Sequence, residues 1–247
     1  MELQLPPNLH RGRTLDGNSV VLKLVEAREL AIHSFLNSVK SRDNHTVPIL
    51  QEVVLGTKAI IVMPDELVLP YVANSVFETS GNDLASQFLA GVRFMHQQNV
   101  AHLDLKPDNI LVTPTTIPLL RICDYDVSAR VAGPESWITG YQGTPGWTAP
   151  EITKDPNTWY QPIRADLWSA GRVTEYIAHR QPAHISYVFT ALSKSLLNRD
   201  PVKRPLLSEI CLPHEEEQPQ LKRKPSVVEG GVERRHIHAD SQHSGED

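Results

Sequence analysis

Residues 102–109 have the sequence HLDLKPDN, and this stretch decides the fold of the chain. It brings two carboxylates, an amine and an amide together within eight positions. Residues 83–98 before it carry apolar side chains at helical spacing, and residues 110–112 after it are aliphatic. We therefore predict a polar loop between a helix and a strand. In isolation such a segment is more often an ordinary polar turn than a functional site, so its context must decide.

A second acidic stretch, Asp124-Tyr125-Asp126, begins fifteen residues after Asn109. Phosphoryl transfer requires a carboxylate that orients the attacking hydroxyl and an amine that neutralises phosphate charge. It also requires an amide and a second carboxylate that hold Mg²⁺. Asp104, Lys106, Asn109 and Asp124 supply these four groups.

Five motifs, taken together and in order, resemble those of the protein kinase family. They are the catalytic loop (102–109), the metal-binding triplet (124–126), the end of the activation segment (GTPGWTAPE, 143–151), the start of the central helix of the large lobe (DLWSAG, 166–171) and a late arginine segment (RDPVKRP, 199–205). In the family, the arginine of the last segment pairs with the glutamate of the Ala-Pro-Glu motif, which here implies Arg204 with Glu151. The resemblance covers about residues 14–212.

The resemblance implies an α+β fold of two lobes, with a reduced small lobe and a mainly helical large lobe. We assign the kinase-like domain to residues 1–212, with the small lobe at about 1–66 and the large lobe at about 67–212. Residues 213–247 contain no aromatic and few aliphatic side chains, so we expect a disordered tail there.

Hydrophobic periodicity predicts helices at residues 26–39, 83–98, 166–179 and 186–197. Strands are predicted at residues 20–25, 58–63, 110–112 and 119–122. Asn82 or Asp83 is expected to cap the second helix. Residues 124–165, rich in glycine and proline, are expected to form a long ordered loop.

The resemblance also assigns roles in catalysis by position. Asp104 corresponds to the catalytic base, and Lys106 corresponds to the residue that contacts the γ-phosphate. Asn109 and Asp124 correspond to the Mg²⁺ ligands. We therefore expect ATP and Mg²⁺ as cofactors.

Five further residues are implied at the nucleotide site. Lys23 resembles the strand lysine that touches the α and β phosphates, and Glu29 resembles its partner on the following helix. Met63 corresponds to the gatekeeper, and Asp65 belongs to the hinge formed by Pro64 to Glu66. Leu111 is also assigned to the residues that bind the nucleotide.

The small lobe and the triplet depart from the family pattern. Only 22 residues precede Lys23, and they contain no glycine-rich phosphate loop. The chain is therefore expected to begin near the second strand of the small lobe and to bind ATP more weakly. Asp126 replaces the glycine of the triplet, which predicts a backbone cost at that position.

Two departures concern the large lobe. Arg204 follows Asp166 by only 38 positions, so the region that docks substrates in the family should be reduced. Leu103 stands where many kinases carry an arginine that pairs with a phosphorylated activation segment. We therefore expect packing of Trp137 and Trp147, rather than phosphorylation, to order this segment.

We expect the chain to transfer phosphate from ATP to serine or threonine of protein substrates. Lys106 and Thr144 resemble the serine/threonine class rather than the tyrosine class. One alternative is a pseudokinase that acts as a binding or scaffold module. Another is a small-molecule phosphotransferase, against which Lys106, Thr144 and the Ala149-Pro150-Glu151 motif count.

Composition and charge limit the classes of binding partner and the cellular location that we expect for this chain. A net charge of −5 excludes a general polycation, and no nucleic-acid partner is expected. The apolar run Ala59 to Met63 is far shorter than the ~20 residues of a membrane helix, so no membrane partner is expected. Two distant cysteines form no disulfide framework, which favours a cytoplasmic or nuclear location. The oligomeric state stays open.

Overall fold

The computed structural model describes residues 7–212, with the side chains of residues 183–185 excepted. The tail expected at residues 213–247 lies outside these described residues, as do residues 1–6 of the expected small lobe. None of the helices in the described range is long and apolar enough to cross a membrane.

A four-stranded antiparallel sheet forms the small lobe. Its strands are β1 (Leu9–Arg13), β2 (Ser19–Glu26), β3 (Gln51–Leu55) and β4 (Lys58–Pro64), in the order β1-β2-β4-β3. Gly17 lies in the turn between β1 and β2 with φ 83°, a left-handed conformation that glycine adopts without a steric cost. β1 and β3 were not predicted individually, because β3 is exposed at every residue and β1 carries no buried one.

Helix α1 (Ala27–Ser38) packs against this sheet and matches the predicted helix at residues 26–39. The helix buries Glu29 on the same face as Ile32 and Leu36. A small apolar core on the buried face of the sheet includes Val25 of β2 and Ile61 of β4. Glu29, the only acidic residue on the buried face of α1, therefore lies next to the sheet. A carboxylate buried there requires an oppositely charged partner.

The large lobe is mainly helical. Its helices are α2 (Asn74–Gln97), α3 (Pro162–Ala178) and α4 (Ala183–Leu196). Its short strands are β5 (Leu67–Val68), β6 (Val100–Ala101), β7 (Ile110–Val112), β8 (Leu120–Ile122), β9 (Ala129–Arg130), β10 (Ile138–Thr139) and β11 (Trp159–Tyr160). One apolar core joins α2 and α3, with Phe88, Leu89 and Val173 fully buried in it. The expected α+β fold, with a small sheet lobe and a mainly helical large lobe, is confirmed.

The second helix begins nine residues before its predicted start. Neither Asn82 nor Asp83 caps it, because α2 starts at Asn74 and runs through both residues. A Cβ on Gly81 would lie 2.5 Å from Cδ of Gln181, so the glycine permits close packing against the segment after α3.

Candidate active site

Lys23 lies among buried charges between β2, α1 and the segment after β8. Its Nζ donates one hydrogen bond to Oε1 of Glu29 at 2.5 Å and another to the carboxylate of Asp124. The side chains of Lys23 and Glu29 are only 8% and 5% exposed, whereas that of Asp124 is 32% exposed. The fold thus brings the strand lysine and the acidic triplet together across 101 residues of sequence.

The charges of this cluster stabilise one another. Burial alone would lower the pKa of Lys23, but the carboxylates of Asp124 and Glu29 raise it above its ordinary value. Burial would raise the pKa of Asp124, yet the Lys23 ammonium holds that pKa below its usual range. At Glu29, burial outweighs Lys23, and the pKa is raised. At neutral pH the cluster therefore offers a charged ammonium beside an ionised carboxylate.

Asp166 at the start of α3 holds the loop of residues 102–109 in place. Its fully buried carboxylate accepts the backbone N–H of His102 at 2.5 Å and that of Leu103 at 2.7 Å. Leu103 adopts φ 66°, in the left-handed region that is unfavourable for a bulky side chain. Two charge-assisted hydrogen bonds to its own and the preceding N–H offset that cost.

Asp104 lies at the centre of a hydrogen-bonded group. Its Oδ2 accepts from Nζ of Lys106 at 2.6 Å and from Nδ2 of Asn109 at 3.2 Å. Its Oδ1 accepts from Oγ1 of Thr144 at 2.7 Å, and Lys106 also donates to Thr144 at 2.8 Å. The role of Thr144 as a partner of Asp104 was missed by the sequence reasoning, which used this residue only to indicate a class. These three side chains hold the Asp104 carboxylate in one orientation.

Next to this group, a cleft of about 330 Å³ opens between the sheet and the large lobe. Six of the residues predicted for cofactor or metal binding line it, namely Lys23, Met63, Asp65, Leu111, Asn109 and Asp124. Glu29 does not line the cleft and contacts it through Lys23. Asp104 and Lys106 also lie outside the lining, joined to it through Asn109.

Asp126, at the glycine position of the triplet, lines the cleft. The backbone cost expected there is not found, because Asp126 is not among the residues with positive φ. The left-handed residue of the triplet is Asp124, at φ 74°. Partial burial and the charge of Asp124 raise the pKa of Asp126.

Two ion pairs at the hinge end of the cleft were not predicted. Arg11 on β1 donates from Nε to Oδ2 of Asp65 at 3.2 Å. Arg121 on β8 donates from Nε to Oε1 of Glu66 at 2.9 Å. If β1 had been recognised as a strand, Arg11 would have been expected on the same face as Leu9, because alternate residues of a strand share one face. Both residues line the cleft. No sequence signal indicated the pairing of Glu66.

The activation segment is ordered in part as expected. Trp147 contacts the Tyr176 ring edge-on at 6.1 Å, and its carbonyl accepts from Oγ of Ser169 at 2.9 Å. The expectation for Trp137 is wrong, because its side chain is 57% exposed. It precedes the two-stranded ladder of β10 and β11, which supplies backbone pairing in place of side-chain burial.

Arg204 and Glu151 form a bidentate ion pair below the activation segment. The distances are 2.5 Å from Nη1 to Oε1 and 2.8 Å from Nη2 to Oε2. Arg204 is fully buried, and its remaining N–H groups donate to the carbonyls of Asn198 and Arg164, both at 2.8 Å. The pair implied by the resemblance is thus present.

The arrangement of these groups agrees with a comparison against known families. The model of the protein kinase domain matches residues 42–183, which is more than half of the chain. The chain belongs to the protein kinase domain family. The match spans the catalytic loop, the triplet and the activation segment.

Individual relatives of this kinase domain are serine/threonine and calcium/calmodulin-dependent kinases by name. A calcium/calmodulin-dependent protein kinase kinase of Caenorhabditis elegans is 33% identical over 126 residues, covering 49% of this chain and 23% of that protein. The human serine/threonine-protein kinase ULK3 is 30% identical over 130 residues, covering 51% of this chain and 26% of that protein. The probable serine/threonine-protein kinase KKQ8 of Candida glabrata is 42% identical over 93 residues, covering 35% of this chain and 12% of that protein. The chain matches about a quarter or less of the length of these relatives.

Protein kinase domains in general use ATP and Mg²⁺, and the residues of this cleft fit both. The Lys23 ammonium suits phosphate oxygens, and the Asp124 carboxylate suits a hard cation. Nδ2 of Asn109 is used on Asp104, which leaves its carbonyl oxygen for the cation. Within residues 7–212 no three His, Cys, Asp or Glu side chains cluster as a metal site. Proteins bind Mg²⁺ through one or two carboxylates together with substrate phosphates.

Gly143 couples the activation segment of this kinase domain to the catalytic loop. It has φ 94°, and a Cβ there would lie 2.6 Å from the Leu103 carbonyl oxygen and 2.8 Å from Oγ1 of Thr148. We expect Gly143→Ala to lower the melting temperature by at least twice the amount that Gly140→Ala does. Gly140 is the matched control, because it has φ 95° but nothing within 4 Å of its Cβ position. Thermal unfolding measures both variants, and equal decreases would contradict the close approach.

Proposed function

We propose that this kinase domain transfers the γ-phosphate of ATP to serine or threonine hydroxyls of protein substrates. The observation that carries the proposal is the orientation of Asp104 by Lys106, Thr144 and Asn109 beside a cleft that holds Lys23 and Asp124. An ordinary polar turn without a functional role is not expected to place these three side chains around one carboxylate. The names of the relatives support the serine/threonine class.

In this proposal, Asp104 accepts the proton of the substrate hydroxyl at a carboxylate oxygen. Lys106 lies 2.6 Å from that carboxylate and carries the positive charge that attracts the transferred phosphate. Thr144 connects the two residues to the activation segment, which supports a peptide substrate over a small molecule. Lys23 binds phosphate oxygens, and Glu29 holds the lysine in position.

Asn109 and Asp124 would hold Mg²⁺. When bound, the metal neutralises phosphate charge during transfer. The contribution of this chain is to fix its two ligands: Asn109 by hydrogen bonds to Asp104, and Asp124 by the ion pair with Lys23.

A second candidate is a nucleotide-binding module without turnover. One observation favours it: among residues 7–212, no glycine-rich loop covers the phosphate side of the cleft. Backbone N–H groups of such a loop would otherwise position the γ-phosphate.

Binding of nucleotide with metal tests the site apart from turnover. We expect ATP with Mg²⁺ to raise the melting temperature by several degrees more than ATP with EDTA, because ligand bound to the folded state stabilises it. Asp124→Asn should remove this difference. Asp16→Asn, an exposed carboxylate in the β1–β2 turn, should retain it. Equal stabilisation of the wild type with and without metal would contradict the metal-binding roles of Asn109 and Asp124.

Transfer itself separates the two candidates. Purified protein is incubated with radiolabelled ATP and a mixture of serine- and threonine-containing peptides. Incorporation of label supports the kinase, whereas metal-dependent ATP binding without incorporation supports the binding module.

A further inference from the structure

Strand β3 forms an open edge of the small-lobe sheet. The strand order β1-β2-β4-β3 gives β3 one partner, β4, and no strand among residues 7–212 pairs with its other side. All five residues of β3 are exposed, and the last three are aliphatic: Val53, Val54 and Leu55, at 43%, 62% and 51%. An exposed apolar edge strand offers unpaired N–H and C=O groups to another chain.

The opposite edge of the sheet is protected in a way that β3 is not. β1 carries Arg11 and Arg13, and charged side chains on an edge strand discourage pairing with a second chain. β3 carries a single charged residue, Glu52, and contains neither a basic residue nor a proline. Of the two edges, β3 is therefore the one suited to pairing.

The turn after β3 determines which of its backbone groups face outward. Leu55 is paired with Lys58 across a two-residue turn, and such a turn is closed by a hydrogen-bonded pair. Hydrogen-bonded and non-hydrogen-bonded pairs alternate along an antiparallel ladder, so Val53 also directs its N–H and C=O toward β4. The N–H and C=O groups of Glu52 and Val54 therefore point away from the sheet.

We propose that two copies of this chain associate through their β3 strands, paired antiparallel about a two-fold axis at Val53. Glu52 of each copy then lies opposite the partner's Val54, and each of these pairs exchanges two backbone hydrogen bonds. An axis at Glu52 would instead place two carboxylates opposite each other, which is unfavourable. Pairing of identical edges also closes the assembly at two copies. This pairing does not require nucleotide binding.

The outer face of the sheet supports the same register. Leu24 on β2, Ile60 on β4 and Val53 on β3 are cross-strand neighbours, so they form one apolar row across the sheet. Leu24 and Val53, at the two ends of this row, are 41% and 43% exposed. With the axis at Val53, the row of one copy continues directly into the row of the other. The contact between the two Val53 side chains removes aliphatic surface from water, which stabilises the pair.

Cysteine cross-linking tests the position of the axis in the full chain. The exposed Cys211 is first replaced by serine. The other native cysteine is Cys123, and burial raises the pKa of its thiol well above the usual range, which suppresses its reactivity. In this background Val53→Cys should form an intermolecular disulfide under mild oxidation, because the two Cα atoms at the axis would lie ~4.5 Å apart.

Val54→Cys is the matched control for cross-linking. Its two copies would be offset by two residues, or ~7 Å along the strands, in addition to the distance between the strands. That separation exceeds the ~7 Å that a disulfide can span. Val54 is more exposed than Val53, so random collisions would favour its cross-linking instead. Dimers that form as readily through Val54→Cys as through Val53→Cys, or through neither, would overturn the axis at Val53.

Opposite charges at one exposed position test the register without altering the core. Val54→Lys would place a lysine opposite the partner's Glu52, whereas Val54→Glu would place a glutamate there. Because Val54 is largely exposed, both variants should melt close to the wild type. Opposite charges directly across a ladder attract and like charges repel, and the two-fold axis repeats the pair. We therefore expect the Kd of dimerisation to be ~fivefold or more lower for Val54→Lys than for Val54→Glu.

Sedimentation equilibrium over the micromolar range measures these constants and the assembly state of the wild type. A reversible equilibrium between monomer and dimer supports the proposal. A monomer at every concentration would overturn it. Species larger than the dimer would also overturn it, because pairing of β3 with β1 of another copy gives an open chain rather than a closed pair. Equal Kd values for Val54→Lys and Val54→Glu would contradict the register at Val53.

Discussion

Asp104→Asn is expected to lower the rate of phosphate transfer by ~10²-fold or more while the protein stays folded. An amide has nearly the shape of a carboxylate but cannot accept the proton of the substrate hydroxyl. The hydrogen bond from Thr144 at 2.7 Å can persist on the remaining oxygen, so the loop should keep its conformation. The measurement is incorporation of radiolabel from ATP, with the melting temperature recorded for the same samples.

A matched control makes this loss specific. Asp155→Asn removes a carboxylate from an exposed turn after the activation segment, where it accepts the N–H of Asn157 at 2.9 Å. We expect this variant to keep the activity of the wild type. Full activity in Asp104→Asn would mean that another group removes the proton or that the label arises from a contaminating kinase.

The catalytic loop was the most predictable part of the site, because its groups are close in sequence. Asp104, Lys106 and Asn109 lie within six positions, and a short loop between a helix and a strand cannot spread them far apart. Their mutual contacts therefore follow almost directly from the sequence. Their roles in catalysis stay predictions that the variants above test.

Contacts between distant segments were harder to predict. Lys23 and Asp124 could be paired only through the family resemblance, since no local pattern joins residues 101 positions apart. Thr144 reaches Asp104 because Gly143 lets the activation segment approach the Leu103 carbonyl. Such an approach depends on packing geometry, which composition and periodicity do not encode.

Errors in the predicted elements have physical causes as well. The second helix was predicted to begin at residue 83, yet it runs through Gly81, whose lack of a side chain permits close packing against Gln181. The strand β3 has no buried residue, so it lacks the alternation by which strands are recognised. Trp137 was expected inside because tryptophan is large and apolar, but an activation segment can be ordered by backbone pairing. Side-chain type alone did not determine burial at any of these positions.

Arg204→Ala is expected to lower the free energy of unfolding by about 3–5 kcal/mol, which for a domain of this size lowers the melting temperature by roughly 10 °C. The guanidinium is fully buried and makes a bidentate pair with Glu151. Its removal leaves the Glu151 carboxylate, only 17% exposed, without its cation. It also leaves the carbonyls of Asn198 and Arg164 without that donor and removes the cation from above the Trp168 ring, at 5.2 Å.

The relative loss of unfolding free energy in three variants shows whether the burial of Arg204 or its charge alone accounts for its effect on stability. Arg172→Ala breaks another arginine–glutamate pair of 2.8 Å, but Arg172 is 41% exposed, so its loss should cost less than about 1 kcal/mol. Glu151→Gln keeps a neutral acceptor opposite Arg204 and should fall between the two. Chemical denaturation of each variant measures these free energies. If Arg204→Ala were no more destabilising than Arg172→Ala, the buried pair would not be what holds the activation segment against the late arginine segment.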